Sequence, residues 1–175
     1  MSPEVKKGVL LAPYTTFGIG GAAEYFAVAS SEEELTLLAK YAREHNLRVS
    51  ILGEGSNLLV SDSGVKGLVI KNEIKGITHK AENEKVLVTA GAGEGWDAFV
   101  LRTVETGWWG LENLSAIPGT VGATPIQNVG AYGVEVGNLI EEVKVYSLRE
   151  QKFITMNSDE CHFGYRDSVF KSEAG

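Results

Sequence analysis

The sequence predicts a fold that mixes helices and strands, with glycine-rich segments between them. Short apolar or alternating runs predict strands at 22–29, 48–52, 67–71 and 86–90, and helical stripes follow two of these runs. Glycine accounts for 21 of 175 residues, well above a usual share of about 7%. The glycines cluster at 18–21, 53–55, 91–95 and 107–137. Irregular clusters of this kind indicate loops that approach something closely.

Two helices are expected. Ser31 and Glu34 form a capping box, and the apolar stripe behind them predicts a helix that ends near Asn46. A second stripe begins at Trp96 and ends at Gly107. Residues 108–137 then show no clear periodicity, and 139–148 with 151–156 predict a strand pair. Charged and polar residues gather at 72–80, so we expect two subdomains, 1–72 and 73–175.

Composition excludes several classes of protein. Hydrophobic residues make up 43% of the chain, and no apolar run approaches the roughly 20 residues that a membrane-spanning helix needs. The N-terminal stretch MSPEVKKGVLLAPY lacks the long apolar region of a signal peptide. A single cysteine permits no internal disulfide, which is typical of a cytoplasmic protein. The net charge of −7 argues against nucleic acid as a partner.

The stretch ILGEGSNLLV, residues 51–60, begins and ends like a buried strand, but its middle is small and polar. Successive backbone N–H groups in a tight glycine turn can bind a phosphate, so 53–57 is a candidate anion site. The spacing G-x-G-x-x-L excludes a Rossmann fingerprint, and no Gly-Lys-Ser/Thr follows as in a P-loop. A plain hairpin turn is the alternative. GAGEGW at 91–96 by itself favours a strand-to-helix turn, whereas two such loops together favour a diphosphate ligand.

The segment IPGTVGATPIQNVGAYG, 117–133, predicts a rigid, irregular loop that wraps a planar or extended ligand; a long connector is the alternative. In FGYRDS, the fork of Arg166 suits a carboxylate, Asp167 can orient it and Tyr165 can donate or stack. Spacing alone favours a surface salt bridge there. Cys161 beside His162 is the wrong arrangement for a catalytic dyad, and the scattered histidines suggest no metal site.

Four ordered blocks carry a resemblance to a known family: TTFGIGGAAEYFA, LGEGSNLLVSDSGVKGLVI, GLENLSAIPGTVGATPIQNVGAYGVE and FGYRDSVFK. From about Thr15 to Lys171, the chain resembles the UDP-N-acetylenolpyruvoylglucosamine reductases (MurB), and the last two blocks look like the type I branch. The resemblance implies an α+β fold of the FAD-binding PCMH/VAO type, in which two subdomains enclose one FAD. It also implies that the family's C-terminal substrate domain is absent from these residues.

The resemblance further implies which residues bind and react. NADPH reduces FAD, which passes hydride to the enolpyruvyl group of the UDP-sugar, and a serine protonates the other carbon. Arg166 matches the arginine that stabilises the enolic intermediate, and Tyr165 lies beside it in the substrate pocket. Implied FAD contacts are Gly53, Glu54, Gly55, Ser56, Asn57 and Leu58, followed by Ile117, Pro118, Gly119, Gly122, Ala123, Gln127, Asn128, Gly130, Ala131 and Tyr132.

Two departures from the family accompany these matches. The serine proton donor and a late glutamate match no position here, so we expect this chain alone to bind FAD without turnover. Thr15 stands where asparagine is usual, which affects only a local turn. A non-catalytic FAD or nucleotide-binding module is the alternative function. A flavin oxidase of the same fold is a further one, although the glycine loops offer no histidine or cysteine to tether FAD.

Overall fold

The computed structural model describes residues 3–172, which form two compact units. Unit one comprises residues 3–75 with 148–152, and unit two comprises 76–147 with 153–172. Both units contain helices and strands, as the sequence predicts. Residues 1–2 and 173–175, the outer ends of the two expected subdomains, lie outside the described residues.

Unit one is built on a four-stranded sheet in the order β1-β2-β4-β3. Strand β2 is antiparallel to β1 and parallel to β4, and β3 is parallel to β4. The predicted strands at 22–29, 48–52 and 67–71 are confirmed. The first strand was not predicted, because its two lysines and one glycine interrupt the apolar pattern of a strand. The strands are β1 Lys6–Leu10, β2 Ala22–Ala29, β3 Val49–Leu52 and β4 Val65–Asn72.

The first helix, α1 (Glu32–Glu44), is confirmed together with its start and end. Ser31 Oγ accepts a hydrogen bond from the Glu34 amide at 3.1 Å. The Glu34 carboxylate accepts one from the Ser30 amide at 2.7 Å, one residue earlier than in a standard capping box. Asn46, with φ 53°, takes the left-handed conformation that stops the helix.

The sheet of unit one has a buried cluster on each face, because successive strand residues point to opposite sides. Leu68 and Ile70 of β4 pack with Leu38 of α1, whereas Val69 belongs to the second cluster with Phe26 and Leu52. This double burial explains the continuous apolar run of β4.

Unit two begins with an antiparallel hairpin, β5 (Ile77–Glu82) and β6 (Lys85–Ala90). Strand β5 was not predicted, because five of its six residues are exposed and polar residues dominate its sequence. The helix α2 (Trp96–Glu105) follows as predicted and buries Trp96, Phe99 and Val100.

The aperiodic segment 108–137 is ordered by short turns rather than by long elements. It contains three 3-10 turns and the small hairpin of β7 (Gly130–Ala131) and β8 (Val134–Glu135). Leu114, Val129 and Val136 pack into the same core as α2. The segment therefore supplies core side chains singly, one turn at a time, which no periodic pattern reveals.

Three elements complete unit two. Strands β9 and β10 form a separate two-stranded sheet, which confirms the predicted strand pair, and a short helix follows the FGYRDS segment. Their bounds are β9 Glu142–Ser147, β10 Lys152–Asn157 and α3 Val169–Ser172, and the first residue of β10, Lys152, belongs to unit one.

Candidate functional site

In unit one, residues 15–21 and 53–61 run side by side, and we call them the paired loops. The Thr16 amide donates to the Gly55 carbonyl at 3.2 Å, and the Gly21 amide donates to the Ser61 carbonyl at 2.9 Å. The Thr15 hydroxyl lies 3.2 Å from the Ala12 carbonyl and 3.0 Å from the Ile19 carbonyl. Threonine at position 15 therefore stabilises the local turn.

A contact within the protein requires glycine at position 55. Its φ is +68°, and a Cβ built there would lie 2.2 Å from the Tyr14 carbonyl oxygen. The glycine thus permits close contact between the two loops. The 51–60 stretch is neither a hairpin nor a continuous strand: β3 ends at Leu52, which is buried, while Leu59 is 76% exposed.

The surface of the paired loops combines apolar side chains with one nearby cation. Phe17, Ile19, Leu58 and Leu59 are all exposed. The Lys71 ammonium, at the end of β4, donates to the Gly53 carbonyl at 3.1 Å and lies 3.7 Å from the Glu73 carboxylate, so it is at the start of the 53–57 turn with an acidic partner beside it. The sequence pattern did not identify Lys71 as a candidate site residue, because it lies within the predicted strand 67–71.

In unit two, Asn128 joins three chain segments. It is 2% exposed and has a positive φ of 43°. Its side-chain Nδ2 donates to Glu135 Oε2 at 2.8 Å and to the Gly164 carbonyl at 3.0 Å. Its Oδ1 accepts from the Gly137 amide at 2.8 Å. The side-chain amide of Asn128, an implied FAD contact, is therefore engaged within the protein.

Arg166 lies in a tight turn that Asn128 supports. Gly164 and Asp167 exchange backbone hydrogen bonds of 3.0 and 3.1 Å, which leaves Tyr165 and Arg166 at the tip. Arg166 has φ 54°, an unusual conformation for a side chain of this size. Its guanidinium donates to the Gly130 carbonyl at 2.8 Å, and its Cζ lies 6.0 Å from the centre of the Tyr165 ring.

Buried groups hold the chain on either side of this turn. Ser168 is 2% exposed, and its Oγ donates to the Ile126 carbonyl at 2.7 Å. The Val169 amide donates to the carbonyl of Cys161 at 3.0 Å. Burial, with a smaller contribution from the Glu160 charge, raises the pKa of the Cys161 thiol. A thiol that stays protonated at neutral pH is a poor nucleophile, in agreement with its sequence context.

The second glycine loop, 91–96, packs against the start of the 117–133 segment. The Val121 amide donates to the Glu94 carbonyl at 2.9 Å, and the Trp96 amide donates to the Gly119 carbonyl at 2.9 Å. A Cβ on Gly122 would lie 2.6 Å from that of Ala92. The 91–96 loop is thus a strand-to-helix turn whose close approach is to its own chain.

The remaining predicted FAD contacts of unit two differ in accessibility. Tyr132 is 90% exposed at the tip of the β7–β8 hairpin. Pro118 is exposed and Gly119 is buried. The half-buried ones are Ile117, Gly122, Ala123, Gln127, Gly130 and Ala131.

Each region, taken by itself, offers groups that suit particular ligand chemistry. A backbone turn with an ammonium beside it suits a diphosphate, and exposed apolar side chains suit planar rings. In unit two, Arg166 offers a fixed positive charge and Tyr165, 84% exposed, offers an aromatic face. Among residues 3–172, no group of three or more histidine, cysteine or acidic side chains is arranged to hold a metal. Nor is any described helix long and apolar enough to cross a membrane.

A family described as "FAD binding domain" matches residues 23–150, more than half of the chain. The chain belongs to this FAD-binding domain family. The match begins in β2, includes the paired loop at 53–61 and ends after β9, so it extends through both units.

Relatives of known identity refine the assignment. The UDP-N-acetylenolpyruvoylglucosamine reductase of Chromobacterium violaceum is 44% identical over 99% of this chain and 51% of its own length. The crystal structure of the enzyme of that name (MurB) from Thermus caldophilus superposes with a TM-score of 0.75 and 32% identity, covering 95% of this chain and 57% of the other. The chain spans about half the length of the curated relatives it matches.

A more distant structure supports the fold alone. p-Cresol methylhydroxylase superposes with a TM-score of 0.62 at 17% identity, over 92% of this chain and 33% of its own. The predicted resemblance to the MurB family and the predicted α+β fold of the PCMH/VAO type are both confirmed.

Proposed function

We propose that this chain is the FAD-binding part of a UDP-N-acetylenolpyruvoylglucosamine reductase. The observation that carries the proposal is 44% identity to a protein of that name over 99% of the chain. The arrangement of Arg166 supports it, because an exposed, anchored guanidinium is what an anionic substrate requires. The reaction converts UDP-N-acetylglucosamine enolpyruvate to UDP-N-acetylmuramate for peptidoglycan synthesis, with NADPH as reductant, in the cytoplasm.

We assign FAD contacts in each unit by itself. In unit one, we assign contacts to residues 53–58, where the turn and the Lys71 ammonium favour the diphosphate. In unit two, we assign contacts to 117–119, 122–123, 127–128 and 130–132. Asn128 contributes through its backbone, since its side chain is already hydrogen bonded within the protein.

Arg166 is assigned as the group that stabilises negative charge on the substrate, with Tyr165 beside it in the substrate pocket. Addition of hydride to the enolpyruvyl group places negative charge on the carbon next to the carboxylate and on the carboxylate itself. A guanidinium held by the Gly130 carbonyl keeps its orientation during this change, so little reorganisation is needed. FAD, when bound, supplies the transfer of hydride from NADPH to the substrate.

The direct test of cofactor binding uses the 175-residue chain. Its visible absorption spectrum is recorded after incubation with FAD and desalting. We expect retained flavin absorbance at close to one equivalent, and release of intact FAD on acid precipitation. Soluble, folded protein that retains no flavin would contradict the assignment. FAD that stays attached after precipitation would indicate a covalent flavin oxidase instead.

The test of the reaction uses the intact gene product that contains these residues, because the chain spans about half the length of its relatives. We expect NADPH oxidation that depends on the enolpyruvyl UDP-sugar. Residues 1–175 alone should bind FAD without this turnover. An intact gene product that binds FAD but never oxidises NADPH with this substrate would favour a non-catalytic FAD-binding module.

A further inference from the structure

We propose that Asn128 is a positioning residue for Arg166, acting through the carbonyl of Gly164. The inference rests on the proposed function and adds a residue that does not itself touch the substrate. Asn128 is 2% exposed, whereas the Arg166 guanidinium is exposed. The side chain of Asn128 therefore acts on the reaction only through the chain segments that it holds.

The hydrogen bonds of Asn128 leave no capacity for other partners in its side-chain N–H groups. An asparagine amide has two N–H donors, and here one reaches Glu135 at 2.8 Å and the other reaches the Gly164 carbonyl at 3.0 Å. Its oxygen accepts from the Gly137 amide at 2.8 Å. These partners fix the orientation of the amide, because a flipped amide would set N–H against N–H and oxygen against oxygen.

The contact with Gly164 controls the base of the Arg166 turn. Gly164 pairs through its backbone with Asp167, so holding its carbonyl fixes the turn between them. Asn128 is also two residues before Gly130, whose carbonyl receives the guanidinium at 2.8 Å. The buried side chain of Asn128 thus fixes the base of the Arg166 turn at Gly164. It also lies close in sequence to Gly130, which anchors the guanidinium at the tip of the turn.

Strain makes this support necessary. Both Asn128 and Arg166 have positive φ, 43° and 54°. Asparagine adopts this conformation at little cost, but it is unfavourable for the long side chain of Arg166 and persists there only where the surroundings enforce it. Without the hydrogen bond to Gly164, we expect the turn to relax and the guanidinium to leave the Gly130 carbonyl.

A charge-matched pair of substitutions separates positioning from folding. Asn128→Asp removes both donors and places a carboxylate against Glu135 and the Gly164 carbonyl. Adding Glu135→Gln restores the link between 128 and 135 with the donor reversed, and it returns the net charge to that of the wild type. In the double variant the Gly164 carbonyl lacks the donor from position 128, although it still accepts from the Asp167 amide. Glu135→Gln alone is the control, because glutamine can accept from Asn128.

The variants are compared in the intact gene product. In the double variant we expect the melting temperature and retained FAD to return toward wild type, whereas kcat stays about 10- to 100-fold lower because the arginine is misplaced. The KM for NADPH should change little. Hydrogen exchange in a peptide covering 163–168 should be about tenfold faster than in wild type, with 128–137 restored.

The outcomes are distinguishable. Wild-type exchange at 163–168 in the double variant would overturn the positioning of the turn. Faster exchange with wild-type kcat would show that the turn is held but that the reaction does not need it, which also overturns the proposal. A wild-type protein without substrate-dependent NADPH oxidation would refute the proposed function and the catalytic relevance of Asn128, while hydrogen exchange would still decide its structural action.

Discussion

The paired loops of unit one and the Arg166 turn of unit two are both loops rich in close contacts, but different groups hold them. The paired loops are joined by backbone hydrogen bonds, and their closest approach depends on the missing side chain of Gly55. The Arg166 turn is held by buried polar side chains, Asn128 and Ser168. The paired loops depend on the absence of a side chain at Gly55, whereas the Arg166 turn depends on the hydrogen bonds of two side chains.

This difference predicts how each region fails. The close contact at Gly55 leaves no space for a Cβ, so a substitution there destabilises the loops through steric repulsion. A buried hydrogen-bond network fails when a donor is removed and its acceptor remains unsatisfied. Substitutions in the paired loops should therefore affect stability and FAD binding first, whereas those around Arg166 should affect turnover first.

The largest expected effect is on turnover. Arg166→Ala in the intact gene product should lower kcat by about 10²- to 10³-fold, because the developing negative charge loses its fixed counter-charge. Retained FAD should remain at the wild-type level. Arg166→Lys keeps the charge without the planar fork and should recover only part of the loss. Steady-state NADPH oxidation at saturating substrate measures both, and wild-type turnover in the alanine variant would contradict the role of Arg166.

The next effect sharpens the glycine side of the comparison. Gly55 and Gly18 have φ of +68° and +66°, but a Cβ on Gly18 meets nothing within 4 Å. Gly18→Ala should cost about 1 kcal/mol for the backbone conformation alone. Gly55→Ala adds a clash with the Tyr14 carbonyl and should cost about 2 to 4 kcal/mol and weaken FAD retention.

Urea unfolding of the two alanine variants measures the difference. Because their φ angles are nearly equal, the excess loss at Gly55 reports the close contact. Equal destabilisation of the two variants would show that the loops can separate at little cost, and that the glycine at 55 is not needed for their approach.

The sequence was most informative where one pattern decides the structure. Periodicity gave the helices behind Ser31 and Trp96, and the capping box placed the first helix within a residue. The glycine clusters indicated close approaches at Gly55 and Gly122, but a Cβ on Gly18 or Gly107 would meet nothing within 4 Å. They did not reveal which group approaches each glycine. A glycine needed to admit the Tyr14 carbonyl looks the same in the sequence as one needed to admit a phosphate.

Spacing could not reveal the arrangement around Arg166. Asn128 and Gly164 are 36 residues apart, and their contact depends on the whole fold of unit two. Spacing alone favoured a surface salt bridge for Arg166, and only the family resemblance pointed to a site. A buried asparagine that uses all its hydrogen-bonding groups is indistinguishable in sequence from one that faces a ligand.

Ser168→Ala tests the polar network at a smaller scale. The Ser168 hydroxyl is buried and donates to the Ile126 carbonyl at 2.7 Å, so its removal leaves a buried acceptor without this donor. We expect a loss of about 1 to 3 kcal/mol in the free energy of unfolding. Ser63→Ala removes an exposed hydroxyl contact to Ser61 and should cost less than about 0.5 kcal/mol. Equal effects in denaturant unfolding would argue against a tightly held network.

Cys161 gives the smallest expected effect and tests whether the base of the Arg166 region stays closed to water. Burial raises the pKa of its thiol above the usual value of 9.0, so the folded state binds the proton more tightly than the unfolded state does. The stability from the neutral thiol is therefore present below about pH 9 and decreases as the pH rises toward the folded-state pKa. Measured against Cys161→Ala, the stability difference should shrink as the pH rises above about 9. A thiol reagent should modify the native protein slowly and the urea-unfolded protein rapidly. Fast native labelling would mean that the segment carrying Cys161 opens readily, and that the turn is held less firmly than its hydrogen bonds imply.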